Sequence, residues 1–150
     1  MADPPKEVAA VVERIATLPR VPGQKSSRRH WSFASKFAHF FIDQERFPAY
    51  DQYAVAMVNF HLGRKGLVRD ERNPYRAFVE NVRRLRSLHG LCFSAEELDR
   101  YLWLSGLCRE HRKRGAKAQI NAEVRTLFEN PSPEVKQALA ELLPTSAHAG

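Results

Sequence analysis

The chain has 150 residues, 43% of them hydrophobic and nine of them phenylalanine, which is enough to bury a core and excludes a disordered polyelectrolyte. Its 24 Lys and Arg residues outnumber 17 Asp and Glu, and the net charge of +7 predicts a polyanionic partner, nucleic acid first. Cys92 and Cys108 have no second pair, so they cannot supply an iron–sulfur cluster or a four-cysteine zinc site; no metal and no other cofactor is expected. No apolar run reaches membrane-spanning length, and the start MADPPKEV lacks a signal-peptide core, so the expectation is a cytoplasmic protein with no membrane contact.

In chain order, every periodic segment reads as helix. Asp3 with Pro4 and Pro5 opens the first helix, whose stripe is Val8, Val12 and Ile15 with Val11 and Leu18 alongside. Ser26 or Ser27 opens the second, which ends at Asp43. It carries Phe33, Ala34, Phe37, Ala38, Phe40 and Phe41 around a few polar positions, an apolar pattern on nearly every side that predicts burial. Phe47-Pro48-Ala49-Tyr50 reads as an extended connector, because the residue before proline is steered away from helical geometry.

Asp51 caps the third helix, with Ala54, Met57, Val58, His61 and Leu62 inward and Gly63 as its stop. Asn73-Pro74 opens the fourth on Tyr75, Phe78, Val82 and Leu85, ending at Gly90. Ser94-Ala95-Glu96-Glu97 is a capping box for the fifth, built on Leu98, Tyr101, Leu102 and Leu107, with Trp103 expected in a core or at a boundary. A sixth uses Ile120, Val124, Leu127 and Phe128. Ser132-Pro133-Glu134 opens the seventh, on Val135, Leu139 and Leu142. No segment alternates as a strand. The expected fold is therefore all-α, about seven helices in one domain over residues 1–150, with a flexible tail at 145–150.

The stretch SFASKFAHFFIDQERFPAYDQYAV, 32–55, combines a lysine on the second helix with an aspartate at the start of the third. With LDRYLWLSG, 98–106, it resembles the helix–hairpin–helix DNA glycosylases, and is most similar to bacterial 8-oxoguanine DNA glycosylase-like proteins. The resemblance spans roughly the middle half of the chain and implies a compact, shortened glycosylase-like domain. It also implies that Asp51 assists departure of a damaged or modified base. Lys36 would be a phosphate contact or the amine nucleophile of a bifunctional member. By spacing to Asp51, however, Lys36 lies about a turn too close, and Ser32 or Phe33 occupies the family's lysine position. The nearest glycine-rich hairpin is Leu18-Pro19-Arg20-Val21-Pro22-Gly23-Gln24-Lys25, with Gly63-Arg64-Lys65-Gly66 a weaker one.

The expected partner is double-stranded DNA. The expected DNA-binding residues are Lys25, Arg28, Arg29, Ser32, Ser35, His39, Tyr50 and Tyr53, and the expected catalytic residues are Asp51 and Lys36. Each has a plainer role open to it: Asp51 as a helix cap, Lys36 as a solvated lysine, His39 as a hydrogen-bonded core group. Two alternatives follow. The chain could be a helical DNA-binding module without chemistry. Alternatively, Arg84 and His89 fit the Arg-x4-His pattern of HEPN ribonucleases, in which the pair would act on an RNA phosphodiester.

Overall fold

The computed structural model describes residues 4–18, 29–90 and 92–142. Among these residues the protein is all-α: α1 (Pro5–Ala16), α2 (Trp31–Phe41), α3 (Gln52–Gly66), α4 (Pro74–Leu88), α5 (Ala95–Arg114), a short 3-10 turn (Gly115–Lys117), α6 (Ala122–Glu129) and α7 (Pro133–Leu142). The proposed hairpin at 18–25 (Leu18 excepted), the side chain of Leu142 and the tail at 145–150 lie outside the described residues; the second helix, expected from Ser26 or Ser27, starts only at Trp31, after non-helical Arg29 and His30.

Local chemistry sets most boundaries. The Asn73 side chain accepts from the Arg76 N–H at 2.9 Å at the start of α4, where Pro74 needs no hydrogen-bond partner for its nitrogen. Ser94 Oγ accepts from the Glu97 N–H at 3.1 Å while Glu97 accepts from the Ser94 N–H at 2.9 Å, closing the capping box of α5. These bonds hold the Glu97 carboxyl below its usual range, first through the backbone N–H of Ser94. Asn121 caps α6 in the same way, through the Val124 N–H at 2.8 Å. In α3 the helical geometry breaks at Gly63, where φ is 64°, a left-handed angle that suits glycine.

The main core joins α1 to α5: Val8 and Val12, Ala34 and Ala38, Phe47, Met57 and Val58, Tyr75, Phe78 and Leu85, and Leu98 with Leu102. Cys108 and Leu139 form a smaller cluster, against which Phe128 and Val135 pack. Leu18, expected on the α1 stripe, is exposed instead, because α1 has ended two residues earlier.

The larger correction concerns α2. It does not bury all round: Ala34, Ser35, Ala38 and His39 face inward, whereas Phe33, Phe37, Phe40 and Phe41 face solvent. Small residues on the inner face let α2 approach α1 closely, and a helix buries only the sector that touches its neighbours. Trp31 is half-buried against the core with the Arg29 guanidinium over its ring at 5.7 Å.

Candidate functional site

The connector at 47–50 positions the site, and α2 holds the connector. Ser35, fully buried, donates to the Ser32 carbonyl at 3.0 Å and accepts from the Tyr50 N–H at 3.0 Å. His39, also buried, lies with Nδ1 2.8 Å from the Phe47 carbonyl oxygen. A carbonyl only accepts, so Nδ1 carries the proton. Tyr75 reaches across from α4 and donates to the Pro48 carbonyl at 3.1 Å, and its burial pushes the phenol far above its usual range. Three side chains thus bind carbonyl and N–H groups that the proline-containing connector leaves without a helix partner.

The chain then enters α3 through Asp51. Its Oδ1 accepts from the Tyr53 N–H at 2.8 Å and the Ala54 N–H at 2.9 Å, a complete N-cap. Its Oδ2 faces Lys36 Nζ at 4.0 Å. Lys36 is a turn out of register in sequence, yet the return of the chain through the connector brings the two side chains together. The lysine is about half exposed (45%) and the aspartate mostly covered (13%), so one end of the pair is open to an anionic ligand. An ion pair this exposed contributes little to stability, on the order of 0–1 kcal/mol.

A third group, not singled out in the sequence, joins them. Asp99, the fifth residue of α5, feels the charges of His39, Asp51 and Lys36. Burial pushes its carboxyl up and Asp51 adds to the rise, while His39 and Lys36 oppose it only in part. Asp99 also lines an open groove of about 820 Å³, whose wall includes Pro48, Phe78, Val82 and Leu102 and whose charged residues include Arg46, Arg83 and Arg86 with Asp43 and Glu45. Mostly apolar walls with a few converging charges are the common make-up of small-ligand sites. Asp99 stands inside the 98–106 segment, but nothing local distinguishes it from other acids near a helix start. Its burial comes from neighbours distant in the chain.

Neither this groove nor a second one is lined by Lys36 or Asp51 themselves. The second, about 420 Å³, runs between α3 and α5 from Gln52 and Tyr53 to Arg109, Lys113 and Arg114. Here Arg109 stacks over Phe60 at 4.1 Å and Arg114 pairs with Glu110 at 2.7 Å.

The remaining residues named from the sequence fall in different places. Ser32 is exposed in the first turn of α2. Ser35 and His39, expected as ligand contacts, are buried and hydrogen-bonded to backbone, so they act by positioning the connector. The Tyr50 ring meets Phe78 edge-on at 5.3 Å, in the core. Tyr53 donates its hydroxyl to the Gln119 carbonyl at 3.0 Å. Arg29 is already engaged, with Glu13 at 2.8 Å and with the Arg72 carbonyl at 3.1 Å. Lys25 and Arg28 lie outside the described residues.

Arg84, of the Arg-x4-His pair, reaches Glu80 and the Gly66 carbonyl at 3.2 Å. His89 follows the end of α4 and faces His61, with ring centroids 6.3 Å apart. Five residues of helix separate Arg84 and His89 in azimuth by about 140°, so the two do not share a face.

Among the described residues no cluster of His, Cys, Asp and Glu could hold a metal ion, and no helix is long and apolar enough to cross a membrane. Compared with protein families, with curated proteins and with solved structures, the chain matches none.

Proposed function

We propose that this protein binds DNA and excises a base, with the reaction centred on Asp51, Lys36 and Asp99. The observation that carries this reading is the meeting of Lys36 Nζ and Asp51 Oδ2 at 4.0 Å beside the raised carboxyl of Asp99. Two carboxyl groups in unlike environments suit acid and base roles in breaking a glycosidic bond. The net charge of +7 supplies the general attraction to DNA.

In the proposed reaction the nucleotide is extruded and its base enters the 820 Å³ groove against Phe78 and Leu102. The bond from the sugar C1′ to the base nitrogen breaks, and the base leaves with the electron pair. Asp99 in its neutral form, which burial favours, gives its proton to the departing base. The Asp51 carboxylate faces the cationic sugar and takes a proton from the water that adds to C1′. Its other oxygen is held by two backbone N–H groups, so the charge needs no reorganisation when the sugar cation forms. Lys36 contacts the adjoining phosphate. The geometry favours hydrolysis over amine attack, because the lysine is engaged with the aspartate and stands a turn from the family's nucleophile position.

Asp51→Asn tests this directly. Asparagine caps about as well as aspartate, so the fold and DNA affinity should be retained. Removing the charge should lower single-turnover excision by a factor on the order of 10²–10³. Borohydride should trap no covalent adduct. Equal excision by the Asn variant overturns the assignment of Asp51. A panel of damaged and modified bases with no excision leaves the second reading, a DNA-binding helical module, which the completed cap on Asp51 favours.

A further inference from the structure

The phenylalanines that α2 turns to solvent have no role in the chemistry above. Phe33, Phe40 and Phe41 are 66%, 69% and 76% exposed, and Phe37 is exposed beside them. Ring centroids lie 6.2 Å apart for Phe33 and Phe37 and 5.1 Å for Phe37 and Phe41, a continuous aromatic ridge along the helix. With about 150–250 Å² of surface in each large aromatic side chain, the open area is on the order of 500 Å². Single exposed apolar residues need no explanation, but a contiguous patch of this size marks a binding surface.

Three features identify the occupant. All four large side chains are flat rings, which stack on any nucleobase whatever its sequence. Lys36 stands three residues after Phe33 and four before Phe40, on the adjoining strip of the same helix, half exposed and placed for a phosphate. The ridge ends at Phe41, two residues before Asp43, which lines the groove that carries Arg46, Arg83 and Arg86 together with Glu45 and Asp99. A second copy of this chain would instead bring +7 against +7. We infer that the α2 ridge is a stacking platform for the unpaired bases of a single DNA strand, leading that strand past Lys36 to the groove. The inference rests on the reading of the protein as DNA-binding, not on excision.

The experiment uses the full chain and a single-stranded oligonucleotide carrying 2-aminopurine, whose emission is quenched when it stacks. Two double variants are compared, Phe33→Ala with Phe40→Ala and Phe33→Leu with Phe40→Leu, the second keeping apolar bulk without a ring. Both should melt like the parent, since these positions are exposed. Both should bind the single strand at least about tenfold more weakly, the equivalent of about 1.4 kcal/mol, and lose the quenching. Affinity for the matching duplex should change less than about twofold, since paired bases offer no free face. Leucine variants that bind like the parent overturn stacking. A dimer, or binding to anionic vesicles, that is lost in the variants while DNA binding is unchanged assigns the ridge to self-association or to a membrane surface. If the parent binds no DNA, the proposed function fails along with the ridge. If ridge-dependent binding occurs without excision, only the excision reading fails.

Discussion

Gly106→Ala is the sharpest test of how the site is held. Gly106 is buried in α5 where that helix crosses α3, and a Cβ there would lie 2.6 Å from the Tyr53 carbonyl oxygen and 2.7 Å from Tyr53 Cβ. Optimal carbon contacts sit at about 3.5–4.0 Å, so the helices must part by roughly 1 Å. The opposing atoms are backbone and Cβ, which no rotamer change can move. Separation by that amount forfeits a quarter to a half of each dispersion contact across the joint, and overpacking of this kind costs about 1–3 kcal/mol. The upper end applies here, reduced by about 1 kcal/mol because alanine favours helix over glycine. The net loss of about 2 kcal/mol should lower the melting temperature by roughly 4–8 °C for a chain of this size. Because Tyr53 donates an N–H to Asp51, the shift should also weaken the site. Calorimetry and urea unfolding of the variant measure it. Gly66→Ala serves as control, since its Cβ would meet Leu62 at an ordinary 3.5 Å. If Gly106→Ala is as stable as that control, the close approach of α3 and α5 is not as described.

Asp99 has a raised carboxyl, so its neutral form is favoured in the fold; this stabilisation is fully present below the ordinary carboxylate range, about pH 4, and is lost as pH rises through the folded value. Asp99→Asn should therefore equal or exceed the parent in stability at neutral pH and converge with it in acid, as read by melting temperature across pH. His61 behaves in the opposite sense. Burial, then His89 and Arg109, depress its imidazole, so its contribution is present above about pH 6.5 and is lost as pH falls through the folded value. His61→Gln, which keeps a polar group near the Tyr101 hydroxyl at 2.8 Å, should flatten that part of the acid unfolding curve; an unchanged curve would refute it. Tyr75→Phe removes the donor to the Pro48 carbonyl and should cost about 0.5–1.5 kcal/mol, seen as a lower urea midpoint with an unchanged slope.

Much of this architecture was legible along the chain, for a local reason. Asp51, Asn73 and the Ser94–Glu97 pair bind N–H groups only two or three residues away, so the sequence spells out both partners. The stripe of Tyr75, Phe78, Val82 and Leu85 repeats at helical spacing and is buried as that spacing implies. The facing of α2 was not legible, because both of its sides are apolar and only packing against α1 selects the alanine side. The state of Arg29 was equally hidden: its partners, Glu13 and the Arg72 carbonyl, come from distant parts of the chain. Lys36 and Asp51 could be named from the sequence but not joined, since the bend of the connector decides whether they meet. Asp99 depended most on tertiary structure. An aspartate near a helix start ordinarily faces water, and here burial by residues far along the chain raises its carboxyl, where it feels the charges of the other two.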